Sequence, residues 1–338
     1  MKRGPPSIAQ GEVCVNRYRT IVLVAALAGA LVLPAPLAAE APRHVTIASG
    51  SVDGIYYPIA GAIARIVSDA RDLNIRASVE SSEGSVMNAQ LIRSGEVDFA
   101  LLQNDVAYYA FNGVTLDAFT RKPVKTMSGI FTVYPEVVQI VATKASGVRA
   151  VRDLKGKRVV FGLPGSGAEQ NALQIIEAHG LHERDLGSTA RLPATAAVDQ
   201  LKAGLVDAAF FTTSLGSPVI ADAFGSGRLT LVGVGTSGAE TLQRKYPFYT
   251  IERVAANTYP GQELEVVSPG VMAMLVARSG LPEDLVYRFT KAVFESLPKL
   301  RAAHSAARSL TLQTALAGMA LPLHPGAQRF FNEKGIAR

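Results

Sequence analysis

Two stretches carry the fold: VMNAQLIRSGEVDFALLQND at residues 86–105 and AAVDQLKAGLVDAAFFTTS at residues 196–214. Each opens with apolar residues at helical spacing and stops at a glycine, Gly95 or Gly204. Each then reaches an aspartate three residues on and enters a run of buried-strand character. Helix–Gly–x–x–Asp–strand written twice predicts two similar lobes rather than one extended sheet.

Outward from these stretches the alternation continues. HVTIAS (44–49) reads as a short strand that breaks at SGSVDG, and YYPIAGAIARIVSDA (56–70) puts Ile59, Ile63, Ile66 and Val67 on one helical face. NIRASVESS (74–82) alternates as a strand ending at Gly84–Ser85, and NDVAYYAFNG (104–113) starts a helix behind Asn104 or Asp105. After a looser stretch at 116–125 comes VVQIVATK (137–144), a long apolar strand. DLKGKRVVFGLPGSG (153–167) then gives a strand and glycine loop, and AEQNALQIIEAHG (168–180) a helix. SPGVMAMLVA (268–277) reads as a return crossing that pairs with VVQIVATK at a hinge, and the tail from Pro282 is helical. This order predicts an α/β fold with a mainly parallel sheet and helices on both faces. The first lobe is expected at 43–136 plus 278–338 and the second at 137–277.

The N-terminus has the parts of an export signal. Arg17 and Arg19 precede an uncharged run from Thr20 to Leu33, followed by PAPLAAEAP. The run is short for a membrane span, which needs about 20 apolar residues. A cleavable signal at 1–39 and a periplasmic location are expected. Cleavage removes Lys2, Arg3, Arg17, Arg19 and Glu12, taking the chain from 34 basic and 28 acidic residues to 30 and 27. Net charge falls from +6 to +3, and no basic block remains to hold nucleic acid. Cys14, the only cysteine, goes too, leaving no disulfide and no thiol chemistry.

Three loops stand after a strand and before a helix: SGSVDGIYY (49–57), SSEGSVMN (81–88) and GLPGSGAEQN (162–171). In open α/β sheets ligands bind at such junctions, where helix N-termini present unpaired N–H groups to an anion. GLPGSGAE begins like a phosphate loop, but Ala168 and Glu169 stand where that motif needs Lys and Ser or Thr. Gly233, Gly235 and Gly238 satisfy G-x-G-x-x-G, which by itself reads as a glycine-rich turn. Ser166 has Pro164 two residues before it, so it makes no nucleophile elbow. The histidines show no metal spacing except His179 and His182, which flank Gly180 and read as solvent-facing. Neither a cofactor, nor a metal, nor a catalytic residue is expected.

SGSVDGIYYPIAGAIA, SSEGSVMNAQLIRSGEVDFALLQNDVAYYAFNG, GLPGSGAEQNALQII, ANTYPGQ and VVSPGVMAMLVA together resemble the TAXI group of solute receptors of tripartite ATP-independent periplasmic (TRAP) transporters. The resemblance covers nearly the whole chain after the signal. It implies a two-lobed periplasmic-binding-protein fold of type II character with a ligand cleft between the lobes. The implied ligand is a small anionic solute, an amino acid or carboxylate such as glutamate. The implied partner is a TRAP membrane permease, with the receptor a monomer and not an enzyme. Carried over by position, the resemblance implies ligand contacts at Ser51, Gly54, Ile55 and Tyr56, at Ser85, Gln103 and Asp105, and at Ser166, Gly167, Thr212 and Thr213. The serines would hold carboxylate oxygens and Tyr56 would cover an aliphatic part. Asp105 would meet an ammonium or cap its helix. Glu83 and Ala168 depart from the group's usual glycine and hydroxyl residue, which tells against a dicarboxylate. Two alternatives stay open: a ligand-sensing module for a membrane signalling protein, and a periplasmic hydrolase with a dispersed triad.

Overall fold

A computed structural model describes residues 41–336. The signal expected at 1–39 lies outside the described residues. The first half runs β1 (Arg43–Ala48), α1 (Tyr56–Asp69), β2 (Ile75–Glu80), α2 (Ser85–Ser94), β3 (Phe99–Gln103) and α3 (Asn104–Asn112). A long strand, β4 (Met127–Thr143), leads into the second half. That half runs β5 (Arg158–Val160), α4 (Gly167–Ala178), β6 (Ser188–Ala190), α5 (Ala194–Ala203), β7 (Ala208–Thr213), α6 (Pro218–Phe224), β8 (Leu229–Val232), α7 (Thr236–Lys245) and β9 (Thr250–Val254). The second long strand, β10 (Val266–Arg278), returns to α8 (Glu283–Glu295), α9 (Leu297–Ala303) and α10 (Pro325–Glu333).

The strands lie in the order β2-β1-β3-β10-β4-β7-β5-β6, with β8 on β4 and β9 on β10. Pairing is parallel within each half (β1 with β2 and β3, β5 with β6 and β7) and antiparallel wherever β4 or β10 takes part. The sheet is therefore mixed rather than mainly parallel as expected, because the two long strands run against their neighbours in both halves. Met127–Glu136 escapes the sequence reading because Gly129, Pro135 and Glu136 interrupt the apolar run. The register differs from expectation in consequence. β10 pairs Gly270 with Val137 and Arg278 with Met127, while the segment from Val137 onward pairs with β7 and β8.

The repeated motif has the same local physics in both halves. Gly95 and Gly204 close α2 and α5 at φ 80° and 69°, a left-handed conformation that costs glycine nothing. Asp98 then accepts the Thr46 N–H at 3.1 Å and Asp207 the Arg158 N–H at 2.8 Å. Each aspartate ties the start of its own strand to the neighbouring one, which aligns the strand ends carrying the loops.

Ile59, Ile63 and Val67 of α1 share a core with Val286, Phe289 and Phe330 from the C-terminal helices. Each such burial contributes about 1.5–3 kcal/mol. Val198, Leu201, Phe211 and Phe224 form the outer core of the second half. A third cluster joins the halves: Val106 and Tyr109 of α3 pack with Ile175 of α4 and with Tyr246 and Tyr249 after α7. The Tyr108 and Phe248 rings meet across this seam at 4.4 Å.

Candidate functional site

The β1–α1, β2–α2 and β5–α4 loops converge on one cavity of about 160 Å³ between the halves. Its first wall includes Ser51, Asp53 and Gly54, the starts of α1 and α2, and Gln103. Its second wall includes Ser166–Ala168, Pro193–Ala194 and the Thr212–Thr213 end of β7. Tyr134 and Glu136 of β4 line it where the chain passes from one half to the other.

Helices α1, α2, α4 and α5 all begin on this lining. The first-turn N–H groups of a helix have no partner within it, and the aligned peptides place a partial positive charge there. No side chain caps α1 or α2. At α4 the Ser166 hydroxyl accepts the Glu169 N–H at 3.1 Å. Lysine, arginine and histidine are absent from the lining, so its positive potential comes from backbone alone. Its carboxyl groups are Asp53, Glu83 and Glu136.

Glu136 is only 4% exposed. It accepts hydrogen bonds from the Tyr56 hydroxyl at 2.8 Å and the Tyr134 hydroxyl at 3.2 Å. Burial pushes its carboxyl up to about 8, although both tyrosines pull the other way. Two further wall atoms, Gln103 Oε1 and Thr212 Oγ1, are buried without a hydrogen-bond partner. Unpaired polar atoms in a cavity wall are costly unless a guest completes them.

Ten of the eleven residues expected at the site line this cavity: Ser51, Gly54, Ile55, Tyr56, Ser85, Gln103, Ser166, Gly167, Thr212 and Thr213. Asp105 does not. It is fully buried behind the wall, where it accepts the Val106 N–H at 2.8 Å and the Asn171 side-chain amide at 2.9 Å. The helix turn that places Gln103 at the cavity carries Asp105 into the seam between α3 and α4, and it meets another residue of the protein there. Tyr56 lines the cavity as expected, and its hydroxyl in addition donates to Glu136. The Ser85 hydroxyl accepts the Gln103 N–H at 3.1 Å and is hydrogen-bonded to Tyr56.

The halves touch around the cavity. The Val86 N–H donates to the Gly165 carbonyl at 3.0 Å, and Thr195 donates twice to Asp53. Gly167 lies directly against the Gln103 side chain, with no room for a Cβ. Gly84 faces Ser166 and takes φ 120°, a backbone conformation that favours glycine. The cleft is closed.

Sequence reasoning missed Tyr134, Glu136 and Asn88. Asn88 is buried under the site and donates to the Leu101 carbonyl at 2.6 Å and to the Ser49 carbonyl, tying α2 to β3 and to the loop after β1. For Glu136 a signal was present. A carboxylate inside FTVYPEVVQIV demands partners, because an unpaired charge is not buried there without cost.

Comparison with known proteins agrees with this architecture. The model of the NMT1-like family matches residues 47–335. Among solved structures, the periplasmic binding protein BugD is similar at 14% identity and a TM-score of 0.53, over 88% of this chain and 94% of that one. PhnD1 from Prochlorococcus marinus (MIT 9301), in complex with methylphosphonate, is similar at 12% identity and a TM-score of 0.50, over 78% and 84%. At these identities the likeness is one of fold: two α/β lobes with the ligand cleft between them.

Proposed function

The chain belongs to the NMT1-like family, and on that premise we propose that it is an extracytoplasmic receptor that captures a small anionic solute and hands it to a membrane permease. The observation that carries this reading is the convergence of four helix N-termini, from both halves, on one closed cavity. Backbone N–H groups and helix dipoles hold an anion without a cationic side chain. The unpartnered Gln103 and Thr212 atoms supply further polar contacts. None of the lining serines is hydrogen-bonded to a histidine, so binding, rather than acyl chemistry, is what these groups support.

The receptor acts in the periplasm, and its permease is of the TRAP type. The 43–136 plus 278–338 lobe and the 137–277 lobe close on the solute, with β4 and β10 shared between them. Contacts such as Asp53–Thr195 form only in the shut state, and a bridging ligand shifts the population toward it. The permease reads that shut state.

The test is a thermal-shift screen of amino acids, keto acids, carboxylates, sulfonates and phosphonates. The protein is first unfolded and refolded to strip any co-purified ligand. A solute present at 100 times its dissociation constant adds about 2.7 kcal/mol of stability. A clear shift with a small anion is expected, and silence across all five classes would sink the receptor reading. A gene for a multi-span permease beside this one supports delivery; a membrane kinase in its place would mean sensing.

A further inference from the structure

We propose that Glu136 selects the ligand: it receives an ammonium group, so that the cavity prefers an amino-acid zwitterion to the matching carboxylate without the amine. This inference rests on the receptor reading above and deepens it.

The Asp53 oxygens are taken by the Ser51 hydroxyl and by Thr195. Glu83 is exposed to solvent. Glu136 alone is both buried and on the cavity wall. Its two tyrosine donors leave each carboxylate oxygen with a free lone pair.

The other charged or titratable groups facing Glu136 are Tyr56 from α1, Tyr134 from its own strand and, at longer range, Asp105 from α3. None of these is a cation. Two hydroxyl donors are arranged for the ionised form, yet burial, with no cationic side chain facing the group, drives it up to about 8. The cavity is therefore dipolar, with helix N-termini at its loops and a carboxyl at the strand. A zwitterion matches both ends. A second carboxylate brings no proton to Glu136 and could face it only while Glu136 stays un-ionised.

The proton balance follows. At neutral pH the empty site holds Glu136 protonated. An arriving ammonium keeps its own protons and pairs with the carboxylate, and the Glu136 proton leaves to solvent. Binding a zwitterion thus releases about one proton near pH 7.

The experiment is titration calorimetry of matched pairs in phosphate and in Tris at pH 7: L-leucine with 4-methylpentanoate, L-glutamate with glutarate, L-alanine with propionate. The expected result is an amine preference of roughly tenfold or more in at least one pair. A buffer-dependent heat should report proton release, and Glu136→Gln should lose both. Glu136→Asp, which keeps a carboxyl at this strand position, should retain part of the preference. If pairs bind equally, or if the preference survives in Glu136→Gln, the inference falls while the receptor reading stands. Failure of both members of every pair to bind overturns this inference outright, and binding of another anion class in the thermal screen would then still uphold the receptor. If Glu136→Gln does not fold, equal binding of the matched pairs by the wild-type protein still overturns the inference.

Discussion

Thr195, at the start of α5, gives both its N–H (3.1 Å) and its hydroxyl (2.9 Å) to the same carboxylate oxygen of Asp53, in the loop after β1. An aspartate from one half thus caps a helix of the other, and the bond bridges the cleft. Burial raises the Asp53 carboxyl, but hydrogen bonds from Ser51 and Thr195 outweigh it and hold it below its ordinary value. Asp53→Ala should open the receptor and weaken solute binding roughly fivefold to tenfold, the worth of about 1 kcal/mol of lost capping. Small-angle scattering without ligand should show a larger radius for the variant. In the wild type this contact is complete above the ordinary aspartate value of 3.8 and is lost as pH falls through the lower folded value.

Gly167 tests closure sterically. A methyl group there would run into the Gln103 amide. Gly167→Ala should therefore cost binding at least about tenfold while leaving thermal stability of the ligand-free protein within about 1 kcal/mol. Adding Gln103→Ala should recover part of the closure, which a double-mutant cycle on a scattering or fluorescence readout would detect. Purely additive losses would mean that the two residues do not meet during closure.

Glu136 makes stability depend on pH in a predictable direction. Its folded value is raised from 4.5 to about 8, so between these values the folded protein keeps a proton that the unfolded chain has released. Stability should fall as pH rises through this window, by at most about 1.4 kcal/mol per pH unit. Glu136→Gln should flatten the dependence in denaturant titrations run from pH 5 to pH 8. An unchanged slope would mean that the carboxyl is solvated.

Asp105 separates structure from recognition. Its carboxyl is raised to about 6 by burial, and it bridges α3 to Asn171 on α4. Asp105→Ala leaves buried donors unpaired and should cost about 1–3 kcal/mol of stability. Because Asp105 is not on the cavity wall, solute affinity should stay within about threefold. A selective loss of affinity without loss of stability would return it to the site.

The sequence by itself determined the alternation of strands and helices, the two copies of helix–Gly–x–x–Asp–strand and the loops that carry the site. These are local matters. Periodicity sets helix or strand, and a left-handed turn selects glycine at 95 and 204. Ten of the eleven expected site residues fall on one cavity because the loops at the strand ends are placed by the fold class itself. What only the tertiary structure decided is what each side chain meets. That Asp105 meets Asn171, that Tyr56 holds Glu136 and that β10 pairs on β4 where it does depend on residues 66, 80 and more than a hundred positions apart in the chain. No local propensity encodes such encounters. They follow from how two cores are brought together, and burial then gives an ordinary glutamate its unusual proton affinity.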